Sequence, residues 1–241
     1  METAYWPEIE TAFQRALPVI IPLGANCKEH GFHLPMNTDF VIANYLADWV
    51  AENYCVILAP TIHTSFFPAF TAYPGSASLS AETASNYLIE LCSGWYHQGA
   101  RQFYVLNTGF STNTPLSSAQ KALSLRNIPF EYFDFTALHR DPAIQNISRQ
   151  TIGTHADEIE TSLMLAINPA VVKMALATPE ENPDKPGPFT RDPASNEQTI
   201  SLTGAWGNPT LATREKGETT LKTLKNLLKT DLDHFLLQPL L

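Results

Sequence analysis

The sequence predicts an α/β fold with a mostly parallel sheet, on three observations. Short apolar runs alternate with helical patterns from residue 19 to about residue 135, the rhythm of βαβ units joined by right-handed crossovers. The first of those runs, VIIPL at Val19 to Leu23, shows no polar alternation, which marks a strand covered on both faces. With 241 residues, 44% of them hydrophobic, the chain can bury a full core within one domain spanning residues 1–241.

The elements follow in order. Val19 to Leu23 is the first strand, and Asp39 to Asn53 the helix after it, with Phe40, Val41, Ala43, Tyr45, Leu46, Trp49 and Val50 on a broad apolar face. Thr38 or Asp39 caps that helix. Tyr54 to Ala59 reads as a second strand closed by Pro60, and the aromatic-rich stretch that follows has no clean period, the mark of a long functional loop. Ser80 then caps a helix running to Gln98, with Leu88, Leu91, Cys92 and Trp95 inward and Gly99 as its stop. Gln102 to Asn107 is a third strand, Pro115 to Arg126 a helix, and Pro129 to Phe135 a fourth strand.

After Asp141 a loop leads into HADEIETSLMLAINP, where Ile159, Leu163, Leu165 and Ala166 give a helical face ended by Pro169. Within it His155 and Glu160 are five apart, so they share a cleft only where the helix has barely begun at His155. Pro179 to Ser195, dense in prolines and charges, is expected as an exposed loop or a partner-contacting arm. A final amphipathic helix is expected over Leu211 to Thr230.

Charge and composition exclude several functions. The chain has 24 acidic against 15 basic residues, a formal charge of −9, and no Lys or Arg block, which argues against nucleic acid as a partner. No run reaches the ~18 apolar residues of a membrane span. The three cysteines, Cys27, Cys55 and Cys92, are widely spaced and odd in number, and the N-terminal residues are acidic where a secretory leader is basic. A cytoplasmic protein with reduced thiols is the expectation.

Chemistry concentrates in the loop after the first strand. Between Glu29 and Asp39 the chain carries a glutamate, two histidines and an aspartate, and loops leaving the carboxyl ends of parallel strands are where such folds bind ligands. Imidazoles with a carboxylate suit zinc, manganese or iron. His33 is expected to orient the loop by hydrogen bonding rather than to ligate. The aromatic loop from Phe66 to Tyr73, together with Trp206, offers walls for a small substrate or contacts between subunits.

Several segments resemble the creatininase (creatinine amidohydrolase) family. HGFHLPMNTD from His30 to Asp39 resembles the family's GxxEQHGPHLPLGTD, and Tyr73-Pro-Gly-Ser76 its proline-glycine-threonine loop. HADEIETS from His155 to Ser162 resembles HAGExETS, and GAWGNPTLATREKG from Gly204 to Gly217 a late GxxGxPxxATxxKG pattern. Four motifs in family order span nearly the whole chain. The resemblance implies a three-layer α/β/α sandwich, a homo-oligomer with a hexamer as the expected form, and metal-assisted hydrolysis of a small, cyclic or unactivated amide. It implies His30 as a metal ligand, Asp39 as the bridging ligand between two ions, Glu160 as a ligand or its close neighbour, and His155 as the acid/base group that protonates the departing nitrogen. Tyr73, Ser76, Asn107 and Trp206 are the residues expected to contact substrate.

Two departures from the family pattern bear on the metal. The family's ligand glutamate, two residues before the histidine, falls on Lys28, and Glu29 takes its place only if the loop bulges. The family's NGHGGN segment, with its ligand histidine, is NTGFSTN here, from Asn107 to Asn113. At most one divalent ion per subunit, zinc or manganese, is therefore expected. Two other readings stand beside the metallohydrolase: a family member that keeps the fold and binds a small molecule without turnover, and a metal-independent enzyme using Lys28 as base or electrophile.

Overall fold

In the computed structural model, which describes residues 1–181, 189–192, 194 and 199–237, four parallel strands form the central sheet. They are β1 (Val19–Leu23), β2 (Ile57–Leu58), β3 (Phe103–Asn107) and β4 (Phe130–Tyr132), in the spatial order β2-β1-β3-β4. β1 and β3 pair along their full length, from Val19 opposite Phe103 to Leu23 opposite Asn107, so both strands end at the same edge of the sheet. That edge carries the site.

The sheet is buried on both sides because its two central strands point large side chains each way at period two. Ile20, Tyr104 and Leu106 pack against α2 (Thr38–Asn53), the short α5 (Ala137–Arg140) and α6 (Pro142–Ile147), α7 (Glu158–Ile167) and α8 (Arg214–Leu236) through Leu46, Val50, Leu138, Ile144, Leu163, Leu224 and Leu228. Val19, Ile21, Leu23, Phe103 and Val105 pack against α3 (Ala81–His97) and α4 (Asn113–Ser124) through Leu88, Cys92, Leu116 and Leu123. This is an α/β/α arrangement with a parallel centre. The second face is extended by a short N-terminal helix, α1 (Trp6–Gln14), which buries Phe13 and which the sequence pattern did not announce. Among the described residues no helix is long and apolar enough to cross a membrane.

The order of elements follows the sequence expectation, with differences at their ends. β2 is two residues long where Tyr54 to Ala59 was expected, because its only ladder partners are Val19 and Ile20. Pro60 has no N–H to donate, and pairing resumes only beyond it, with Ile62 N–H donating to Pro22 O at 2.8 Å and Ile62 O accepting from Gly24 N–H at 3.0 Å. α8 starts at Arg214, capped by Thr213, whose hydroxyl accepts from Lys216 N–H, and it runs six residues past the expected end. Within the expected Pro179 to Ser195 arm, residues 182–188, 193 and 195 lie outside the described residues. Its start is tied down: Glu180 pairs with Gly207 through the backbone, and its carboxylate accepts from Leu202 N–H at 3.1 Å and from the Ser201 hydroxyl.

One glycine fixes how the site meets the sheet. Gly24 follows β1 directly beneath the first turn of α2, and a Cβ there would overlap the carbonyl of Asp39. A hydrogen side chain lets the helix start press against the strand end. Thr108, just after β3, holds the same junction by sharing its hydroxyl between Leu23 O and Asp39 O, both at 3.1 Å.

Candidate metal centre

Three elements converge on the C-terminal edge of the sheet. The loop after β1 brings Lys28, Glu29 and His30, the first turn of α2 brings Asp39, and the entry to α7 brings His155 and Glu160. The α7 entry is not helical at His155, which lies in an isolated antiparallel bridge with Trp206, while Ala156 takes a left-handed φ of 46°. The chain then turns into a helix capped by Asp157, whose carboxylate accepts from Ile159 and Glu160 N–H. That kink is how two residues five apart come to face one another.

The ring nitrogens define the chemistry. His30 Nδ1 lies 2.9 Å from Lys28 O, a carbonyl that can only accept, so Nδ1 carries a proton; Nε2 faces Asp39 Oδ1 at 3.0 Å and becomes a lone-pair donor where an ion takes the place of the proton shared there. His155 Nε2 lies 2.9 Å from Glu29 O and 3.0 Å from Glu29 Oε1, acceptors again, which leaves Nδ1 as its lone-pair nitrogen. The two remaining nitrogens, His30 Nε2 and His155 Nδ1, each lie 3.7 Å from an oxygen of Glu160. One donor atom from each of His30, His155 and Glu160 falls within 4.8 Å of the others, close to the span of ligands about 2 Å from a common ion. Ring orientation by a carbonyl and by a carboxylate is what metal-binding imidazoles receive from their surroundings. The donor set therefore fits one divalent ion of the zinc or manganese kind.

The charges around it are buried. Lys28 and Glu29 are each 7% exposed and Asp39 2%. Lys28 Nζ sits 2.6 Å from Asp39 Oδ2, while Asp39 Oδ1 lies 3.0 Å from His30 Nε2. Burial alone would raise the Asp39 pKa, but the Lys28 ammonium and His30 outweigh it and hold the carboxyl well below its usual range. Glu160 goes the other way: burial, reinforced by the Asp39 charge and opposed by His155 and Lys28, pushes it up to about 7. A carboxylate that readily takes a proton readily takes a cation instead.

The centre forms the floor of a cavity of about 490 Å³. Phe70, Phe110, Phe135, Ile152 and Trp206 supply apolar wall, Thr108, Gly109, Ser111 and Thr154 the rest, and Lys28, Asp39, His155 and Glu160 the charged end. Of the residues expected to contact substrate, Trp206 lines this cavity and three others do not. Asn107 spends its amide within its own loop, donating to Gly109 O and Asn113 Oδ1 and accepting from Thr112. Ser76 accepts from Glu29 N–H at 2.9 Å, and the Tyr73 hydroxyl donates to Ser201 O at 2.9 Å. These three shape the loops that hold the floor. Glu29, expected as a metal-ligating residue, faces the outer nitrogen of His155 and lies outside the His30, His155 and Glu160 cluster. Phe110, Phe135, Ile152 and Thr154 went unread, because lining a cavity from separate loops leaves no local period.

His33 lies apart from the cavity and bonds Thr161 Oγ1 through Nε2 at 2.7 Å. Burial, with His30 and His155 adding to it, lowers its pKa to about 4. The unfolded chain then takes up this proton near pH 6.5 and the native state only near 4, so stability is intact above 6.5 and is lost as pH falls through that window. Urea unfolding at pH 7 and pH 5 should show the wild type losing about 2 kcal/mol more than H33Q. Equal losses would mean that His33 is protonated in the native state.

Comparison with known proteins agrees with this geometry. Residues 2–230 match the family Creatininase, described as creatinine amidohydrolase. The chain is 26% identical to creatinine amidohydrolase of Pseudomonas putida over 243 residues, covering 90% of this chain and 89% of that protein. It is 24% identical to 3-dehydro-scyllo-inosose hydrolase of Thermotoga maritima, covering 95% and 80%. A crystal structure of creatinine amidohydrolase superposes with a TM-score of 0.82 at 20% identity, covering 99% of this chain and 98% of that one, which bears on the fold. With nearly its whole length matched, the chain belongs to the creatininase family.

Proposed function

We propose that this protein is a metal-dependent hydrolase that cleaves a C–N bond of a small, flat, cyclic amide, using one zinc or manganese ion held by His30, His155 and Glu160. Asp39 stands beside the ion with its charge shared with Lys28. The observation that carries this reading is the pair of imidazole nitrogens that face one carboxylate at the end of an aromatic-walled cavity. A bound divalent ion supplies an acidified water and a Lewis acid for the amide carbonyl. The chain's own part is orientation and exclusion of water: Lys28 O and Glu29 fix the two rings, Phe70 and Trp206 wall the cavity, and the Lys28 ammonium offers a hydrogen bond to an oxygen of the substrate. Both nitrogens of His155 face carboxylates, so it is placed as a ligand in this reading rather than as the acid/base group that the resemblance implies.

The ion pair of Lys28 with Asp39 favours a second reading, a family member that binds its small molecule without hydrolysing it. Elemental analysis of protein purified without chelator or metal-affinity contact, together with hydrolysis assays on creatinine and other cyclic and linear amides, separates the two. The hydrolase should carry about one zinc or manganese per chain and turn over at least one amide, with activity lost on chelation. Protein without divalent metal and without turnover of any amide would leave only the binding reading.

A further inference from the structure

We propose that Lys28 is a tethered cation that occupies a second cation position on Asp39 and thereby limits this site to one exchangeable divalent ion. The inference rests on the His30, His155 and Glu160 assignment made above and adds to it what sets the stoichiometry and part of the affinity.

The Lys28 side chain reaches the floor of the cavity between a carboxylate and an aromatic face, with Asp39 Oδ2 2.6 Å from Nζ and the Phe70 ring centroid 4.8 Å from it. Lys28 is 7% exposed, and burying its ammonium costs free energy that these two partners offset. The same residue is fixed at its backbone: its N–H donates to Met36 O at 3.2 Å, and its carbonyl accepts the His30 Nδ1 proton. Lys28 is therefore held at its backbone by the same turn that orients His30, which starts its side chain toward Asp39.

The balance of charge points the same way. Glu29, Asp39 and Glu160 bring three negative charges to the floor when ionised, Lys28 brings one positive, and imidazoles that bind through a lone pair bring none. One divalent ion neutralises the two charges left over. A second would leave a buried excess of two positive charges, which an interior of low dielectric penalises heavily. Lys28 thus does electrostatically, on Asp39, what another metal ion would do, without being exchangeable.

The test is manganese titration followed by electron paramagnetic resonance and elemental analysis, on the unaltered protein, K28R and K28Q. Glutamine keeps a donor for Asp39 and removes the charge, so the fold has the least reason to change; thermal unfolding checks this, and the count on the unaltered protein needs no variant. The unaltered protein and K28R should each bind one ion with dissociation constants within about threefold of each other, since both carry the cation. K28Q should bind at least about tenfold more tightly, because a like charge has been removed from beside the ion. Two ions in the unaltered protein, or no tightening in K28Q, would overturn the proposal. The outcomes also separate it from the reading on which it rests: no ion in the unaltered protein but one in K28Q would keep the role of Lys28 and sink the hydrolase. One ion bound equally well by both would do the reverse.

Discussion

Replacing Glu160 with glutamine should weaken divalent ion binding more than about a hundredfold and bring amide hydrolysis to background, with the fold retained. Glu160 is the carboxylate that the two imidazole nitrogens face, at 3.7 Å each, so its loss removes the anion from the only His/His/Glu cluster found among the described residues. An amide is nearly the same size and can still accept the Ala156 N–H that Glu160 Oε2 receives at 2.6 Å, so the start of α7 should hold. The pH dependence of the unaltered protein should reflect the same group. With its pKa pushed up to about 7, Glu160 is protonated below that pH, so proton and ion compete there and affinity falls as pH drops from 7 toward 6. Calorimetry in two buffers of different ionisation enthalpy would show proton release at pH 6.5 in the wild type and less in E160Q. An E160Q protein that binds manganese as tightly as the wild type would show that the ion sits elsewhere.

How much of this could be read from the chain depends on whether each feature is local. β1 and β3 were legible because strands covered on both faces need unbroken apolar runs, and VIIPL and FYVLN supply them. The edge strands were read too long, since hydrophobicity continues through residues 54–59 and 129–135 while strand length is set by what lies alongside. α8 runs past the expected end at Thr230 because Leu228, Leu232 and Phe235 continue the buried face. At the site, the nearness of His30 to Asp39 was legible because one short loop carries both. The meeting of His30 with His155 was not, because it depends on the left-handed turn at Ala156 and on a backbone bridge to Trp206 fifty residues on. Lys28 stood out as a departure, but its ion pair with Asp39 is a matter of side-chain direction that spacing does not give.

The role of Gly204 was equally hidden, and it leads to the second large effect: G204A should weaken ion binding about 10- to 100-fold although Gly204 touches no ligand of the ion. Gly204 adopts φ of 90°, and a Cβ built on it would overlap the Glu29 carboxylate, Oε2 first and then Cδ. Neither side has room to yield. Glu29 Oε2 accepts from Gly31 N–H at 2.8 Å while Oε1 faces His155 Nε2 at 3.0 Å, and the backbone of Gly204 is held by the Ser201 hydroxyl at 2.9 Å. The alanine backbone would add strain of about 1–3 kcal/mol at this φ, and the simplest relief is to turn the Glu29 side chain away. His155 would then keep only Glu29 O, at 2.9 Å, of the two acceptors on Nε2, and its ring, with the nitrogen facing Glu160, would be oriented less firmly. E29A should reproduce the loss of affinity without the backbone strain, and the double variant G204A/E29A should be no worse for binding than E29A alone, because both changes act through one carboxylate. Manganese titrations of the three variants decide it. If G204A binds as the wild type does, or if the two losses add, the coupling between Gly204, Glu29 and His155 does not exist.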